Sequence, residues 1–228
     1  MCFSVQADVT VGLLLLPVAV ASLRETRHVR ELPFAALPLV FALHQFMEAL
    51  VWAGADGDVS SQLQHAAAFA YLVIALPVLP TLMPLAVLLL EPRGARRRVA
   101  PFVLLGMVVS TYLGYALFTG PFEVIAHPHA LEYDTTLWHG NSWAVLYIAA
   151  VIGPSLMSGY RSLIAFGLLN LVGLTVVALV YRQSFVSVWC VYAACTSALM
   201  LLHMVRRRRL PADHRLRGAP LALAPARV

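Results

Sequence analysis

The sequence predicts an all-α protein, a polytopic transmembrane bundle of seven helices with the N-terminus outside and the C-terminus cytoplasmic. Three observations predict this fold. Of 228 residues, 61% are apolar and 12% are charged, whereas soluble domains carry about 25% charged residues. The apolar residues form runs close to the roughly 20 residues that a helix needs to cross a bilayer. The basic residues fall in alternate gaps between those runs.

The basic residues set the predicted orientation. All 16 are arginines, and only Arg182 lies in a gap of the opposite set. Positive charge near the ends of spanning helices stays on the cytoplasmic side. The arginines would contact anionic lipid of the inner leaflet, so the bilayer is the expected partner. The net charge of +5 therefore does not indicate a nucleic-acid partner.

The predicted spans follow in order. The first has no positive charge before it, which distinguishes it from a signal peptide and predicts an uncleaved helix. The third contains Pro77, Pro80 and Pro84, which predict a kink or break because each proline removes a helix donor. Ser110 and Gly114 give the fourth span a small-residue face for close helix packing. The spans are residues 8–23, 32–54, 63–90, 99–118, 141–158, 162–181 and 185–205.

The remaining segments complete the predicted organisation. Residues 119–140 form a polar outer loop between the fourth and fifth spans, and a tight turn around Gly159 makes the fifth and sixth spans antiparallel neighbours. Residues 1–209 are the transmembrane domain. The Pro-, Ala- and Arg-rich residues 210–228 are expected to be a disordered cytoplasmic tail.

The main functional candidates are His44 and Glu48 on the second span. They stand four residues apart, so they share one helix face. An ionisable side chain at this depth costs on the order of 3 kcal/mol unless it is paired or hydrated, so Glu48 should face the interior of the bundle. We interpret the pair as a catalytic acid–base pair, ligand site or substrate anchor, with a structural hydrogen bond as the alternative.

Other polar and aromatic side chains lie at the same outer depth of several spans. Together they predict a polar pocket that opens outward. The alternative for the tryptophans is an aromatic belt at the membrane boundary. The predicted ligand-binding residues are Cys2, Ser4, Gln45, Trp52, Tyr112, Tyr115, Ser187, Trp189 and Cys190.

A metal site is a further hypothesis. His44, Glu48, His65 and His139 carry ligand types that suit a transition metal such as zinc, but no compact metal-binding motif joins them. Cys2 and Cys190 both fall near the outer surface and could form a disulfide. Retinal is excluded as a cofactor because the chain has no lysine for a Schiff base.

Several motifs resemble those of an uncharacterised family of bacterial and archaeal membrane proteins that begin Met-Cys-Phe-Ser. They are residues 1–4, Gln45-Phe46-x-Glu48 with Trp52, the Pro-rich third span ending in Leu90-Glu91, and residues 187–190. The resemblance implies a seven-helix fold in a bacterial cytoplasmic (inner) membrane. It also implies that one site contains Cys2, Ser4, Glu48, Trp52, Trp189 and Cys190. It implies no activity, and His44 is less typical of the family than Glu48.

Three functions are compatible with these features. The first is a membrane protein that binds a small ligand or metal in the outer half of the bundle. The second is an intramembrane metal-dependent enzyme, hydrolase-like, acting on a lipid or small substrate. The His-xxx-His pair that intramembrane zinc hydrolases such as alkaline ceramidases carry on the last span is missing, so that resemblance is one of architecture alone. The third is a proton-coupled transporter or channel. A homo-oligomer is compatible with all three.

Overall fold

The computed structural model describes residues 4–91, 96–127, 130–135, 137–180, 192 and 196–209. These residues are mostly helical, as predicted. Four helical segments are long and apolar enough to cross a membrane: Val5–Arg24, Val29–Ala55, Ser61–Leu90 and Arg96–Thr119. The segments Gly140–Leu156 and Arg161–Val177 are apolar but shorter.

The first half of the chain forms two helical hairpins. Helix α1 (Val5–Arg24) packs along α3 (Leu37–Ala55), which follows a 3-10 turn and the short helix α2 (Leu32–Ala35). Gly12 allows this close packing, because a Cβ atom there would lie 2.8 Å from the Phe46 ring. Helix α4 (Ser61–Val73) then packs against α3, and Gln64 donates a hydrogen bond to the Val51 carbonyl.

The predicted break in the third span is a π-helical segment. Residues Ile74–Val78, which include Pro77, join α4 to α5 (Leu79–Leu90). Helix α6 (Arg96–Thr119) packs against both parts. As the small-residue pattern predicted, Ser110 and Gly114 lie at this contact: the Ser110 and Thr81 hydroxyls are 2.8 Å apart, and a Cβ atom at Gly114 would lie 3.3 Å from Pro77.

The rest of the bundle consists of α7 (Gly140–Leu156), α8 (Arg161–Val180) and α9 (Ala198–Arg208). Helix α7 packs against α5, α6 and α8, and α9 contacts α1, α2 and α8. A single apolar core joins these helices. It includes Phe34, Phe41, Met83, Phe166 and Met204.

A β-hairpin replaces most of the predicted polar loop and is, within the described residues, the one departure from the all-α class. Strand β1 (Phe122–His127) pairs antiparallel with β2 (Ala130–Thr135), with Val124 opposite Tyr133. Leu131 is completely buried against Trp52 and Ala68. The segment forms a strand because its buried and exposed side chains alternate. Phe122 and Val124 face the helices, whereas Glu123 and Ile125 are exposed.

Four of the predicted cytoplasmic segments meet at one end of the bundle, which we call the arginine end. Here Arg207 forms an ion pair with Glu31, and Arg208 forms one with Glu25 at 2.6 Å. The Arg207 side chain also donates to the Tyr160 hydroxyl, 3.4 Å away. The polar contacts of this end join the connection between α1 and α2, the end of α5, the α7–α8 turn and the end of α9. It consists of Glu25, Glu31, Glu91, Ser158, Tyr160, Ser162, His203, Arg207 and Arg208.

Glu91 and His203 are buried polar side chains at the arginine end. Glu91 is 1% exposed. Its carboxylate accepts hydrogen bonds from the Ser158 hydroxyl and from the Gly159 backbone at 3.0 Å. His203 is buried as well, and its Nδ1 lies 2.7 Å from the Ser162 hydroxyl. The segment from Ser158 to Ser162, around the α7–α8 turn, thus supplies a partner to each.

Candidate functional site

The candidate site lies between α1 and α3, towards the end of the bundle opposite the arginine end. It consists of Asp8, His44, Gln45 and Glu48, which we call the polar cluster. Asp8 stands about 5 Å from the start of α1, and Glu48 about 10 Å from the end of α3, at a rise of 1.5 Å per residue. The antiparallel helices therefore place the two carboxyl groups at a similar depth.

The α3 side of the polar cluster follows from helix periodicity. His44, Gln45, Glu48 and Trp52 occupy positions i, i+1, i+4 and i+8, which keep them within one broad face of the helix. This face is buried: Glu48 and Gln45 have no exposed surface, His44 is 1% exposed, and Trp52 is 5% exposed. The expectation that Glu48 faces the interior of the bundle is confirmed.

The α1 side of the polar cluster is Asp8. Ser4 caps this helix, and its hydroxyl accepts a hydrogen bond from the Ala7 backbone at 3.3 Å. Asp8 begins a buried stripe that continues with Gly12, Leu15, Ala19 and Ser22. Both carboxyl groups are buried where α1 packs along α3, close enough for the charge of Glu48 to act on Asp8. The helix packing thus creates a buried carboxyl pair.

Polar atoms of the cluster are buried without hydrogen bonds. Among the described residues, no partner is found for either carboxylate oxygen of Asp8, either ring nitrogen of His44, or the amide oxygen and nitrogen of Gln45. An unsatisfied buried polar group costs about 1–3 kcal/mol. Such groups in a native structure require an explanation such as a bound water or ion.

Aromatic rings cover the cluster on the side of α4 and the hairpin. The His44 ring lies 3.8 Å from the Tyr71 ring between centroids, and Tyr71 stacks on Tyr133 at 4.7 Å. Trp52 packs with Leu131 of the hairpin. The sequence predicted a pocket open to the outside; the structure instead encloses the four polar side chains, because the rings and the hairpin cover this end of α3.

The other predicted ligand-binding residues lie apart from the polar cluster or outside the described residues. Ser4 acts as a helix cap. Tyr112 donates to the Trp138 carbonyl at 2.8 Å and stacks on Trp143 at 3.9 Å. Tyr115 is 69% exposed, which corrects its assignment to the pocket, because it lies on the outward face of α6. Four predicted residues lie outside the described residues: Cys2, Ser187, Trp189 and Cys190. Cys2 and Cys190, which could form a disulfide, are therefore both outside the described residues.

The structure does not assemble the predicted metal site from His44, Glu48, His65 and His139. His65 is exposed and stacks on Phe122 at 4.4 Å. His139 is exposed before α7, with a φ of 55°. In the part of the chain that the structure describes, no three His, Cys, Asp or Glu residues form a group that could hold a metal ion. The predicted site does not form because His65 and His139 lie near the starts of their helices, at the surface of the protein.

Sequence reasoning missed the role of Asp8 in the polar cluster. It was interpreted as a carboxylate that favours the positive end of the helix dipole, and it does lie in the first turn of α1. The available signal was its spacing, because Asp8 stands four residues before Gly12, on the face where small residues allow α1 to approach another helix. Tyr71 and Tyr133 were also missed, since their contacts depend on the hairpin.

Comparison with known proteins identifies a family but no characterised relative. The model of DUF6629, described as a family of unknown function, matches residues 1–216. This agrees with the resemblance to an uncharacterised family. No curated protein matches the chain, and no solved structure matches it.

Proposed function

As a member of DUF6629, the chain belongs to a family of unknown function, and we propose that it is a seven-span protein of the bacterial cytoplasmic membrane that binds a small ligand at the polar cluster. The observation that carries this proposal is the burial of Asp8, His44 and Gln45 with polar atoms that have no hydrogen-bond partner among the described residues. Ionisable side chains within membrane spans are functional by default because they are costly to keep there.

The proposed topology has the N-terminus outside and the C-terminus in the cytoplasm. The four apolar segments and the meeting of four predicted cytoplasmic segments at the arginine end support this topology. Positive residues stay on the cytoplasmic side, so the arginine end would face the cytoplasm. The polar cluster would then lie in the outer half of the bundle.

Reporter fusions test the topology. Green fluorescent protein fused after residue 209 should fluoresce, because the C-terminus is proposed to be cytoplasmic. Alkaline phosphatase inserted between Asp56 and Ser60 should be active, because this turn between α3 and α4 is proposed to lie outside. Inactive phosphatase together with a non-fluorescent C-terminal fusion would reverse the orientation.

Native mass spectrometry of the purified full chain tests ligand binding. The wild type should carry a non-covalent mass that Gln45→Met removes, because the variant replaces a buried amide by an apolar side chain of similar length. The matched control is Gln62→Met, since Gln62 is exposed at the start of α4. The same bound mass in Gln45→Met, or no binding by the wild type, would contradict the proposal.

Two other functions remain as alternatives. An intramembrane metal-dependent enzyme would use Glu48 and His44 as acid and base, and loss of Glu48 should then change the composition of lipid extracts. A proton-coupled transporter or channel would place Glu48 on the path of the transported solute.

A further inference from the structure

We propose that the Asp8–Glu48 pair binds a small inorganic cation through oxygen ligands. This inference rests on the proposed ligand site and names the class of its ligand. Asp8 and Glu48 have no exposed surface and act on one another electrostatically. Neither oxygen of Asp8 has a hydrogen-bond donor among the described residues.

The charge of the pair favours a cation as the ligand. Two neighbouring carboxylates repel each other when both are ionised, and burial weakens the screening of that repulsion. A cation that lies between the carboxylates would offset this repulsion.

A second observation points to a ligand at this position. Gln45 has no exposed surface, and neither its amide oxygen nor its amide nitrogen has a partner among the described residues. It stands three residues before Glu48, hence on the same buried face of α3. Its amide oxygen would add a further oxygen ligand beside the carboxyl pair.

The available donors favour a hard cation over a transition metal. Carboxylate and amide oxygens suit Na⁺, Mg²⁺ and Ca²⁺, whereas imidazole suits zinc and copper. The His44 ring lies against the Tyr71 ring, with 3.8 Å between the ring centroids. Because the side chains are enclosed, a single ion fits the site better than an organic cation.

Isothermal titration calorimetry of the full chain in detergent tests the proposal. NaCl, MgCl₂ and CaCl₂ are titrated separately into protein in choline chloride. We expect the wild type to bind at least one of these cations.

Matched variants locate the binding at the pair. Asp8→Asn should weaken cation binding at least tenfold, whereas Asp58→Asn, at an exposed position after α3, should leave it unchanged. Thermal unfolding of each variant checks that it folds. If Asp8→Asn does not fold, Glu48→Gln takes its place, with the exposed Glu123→Gln as its control.

The outcomes separate this inference from the proposed function. Suppose that none of the three cations binds, but native mass spectrometry still shows a bound mass that Gln45→Met removes. The proposed cation is then wrong, whereas the proposed ligand site is retained. If neither a cation nor another mass binds, both proposals fail. Equal cation binding in the wild type and in the folded Asp8→Asn and Glu48→Gln variants would overturn the assignment to the pair.

Discussion

The carboxylate of Glu91 should be a large contributor to stability at the arginine end. It is 1% exposed and accepts hydrogen bonds from the Ser158 hydroxyl and from the Gly159 backbone, at 3.0 and 3.1 Å for the latter. A hydrogen bond to a charged group contributes about 1.5–3 kcal/mol. Glu91→Ala removes both bonds, so the free energy of unfolding should fall by about 3–5 kcal/mol.

The measurement is equilibrium unfolding in mixed detergent micelles, followed by circular dichroism. Glu91→Gln keeps one acceptor oxygen but loses the charge, so its effect should lie between the wild type and Glu91→Ala. Glu123 is exposed on β1, and Glu123→Ala should change stability by no more than about 0.5 kcal/mol. If Glu91→Ala costs no more than Glu123→Ala, the Glu91 carboxylate does not stabilise the α7–α8 turn and the reasoning is refuted.

Three further changes test the packing in the same unfolding assay. Glu31→Ala and Arg207→Ala should show a coupling energy of about 1–3 kcal/mol in a double-mutant cycle, because they form a largely buried ion pair; additive effects would contradict the pair. Ser4→Ala should cost about 1 kcal/mol because it removes a helix cap. Gly106→Leu should lower the free energy of unfolding by at least about 1–3 kcal/mol, because a Cβ atom at this position would collide with the Pro80 carbonyl. As a control, Met107→Leu at an exposed position should leave the free energy of unfolding nearly unchanged.

The sequence predicted features that depend on local periodicity and composition. Helix spacing placed His44, Gln45 and Glu48 on one buried face, and Pro77 marked the irregular turn in the third apolar segment. The small residues Ser110 and Gly114 marked a helix contact. These features follow from bonds and spacings within one helix, so a single segment contains the information.

Features that depend on contacts between distant segments could not be predicted. Asp8 lies in the first turn of α1, and Glu48 is 40 positions further along the chain. The two come close only when α1 packs against α3, so their proximity could not be predicted from either segment alone. The Glu91 carboxylate reaches Ser158 in the same way, across 67 positions. The alternation of Phe122 and Val124 was a local signal for a strand, but the polar residues around it favoured a loop.

The two ends of the bundle differ in how buried carboxyl groups are satisfied, and this contrast supports a ligand at the polar cluster. At the arginine end, Glu31 accepts from Arg207 and from the Arg27 backbone, and Glu91 accepts from the α7–α8 turn. Asp8 is equally buried, yet neither of its oxygens has a donor among the described residues. The fold therefore supplies donors to buried carboxylates where the role is structural. A buried Asp8 without a described donor, beside an amide without a described partner, is better explained by a bound ligand than by packing alone.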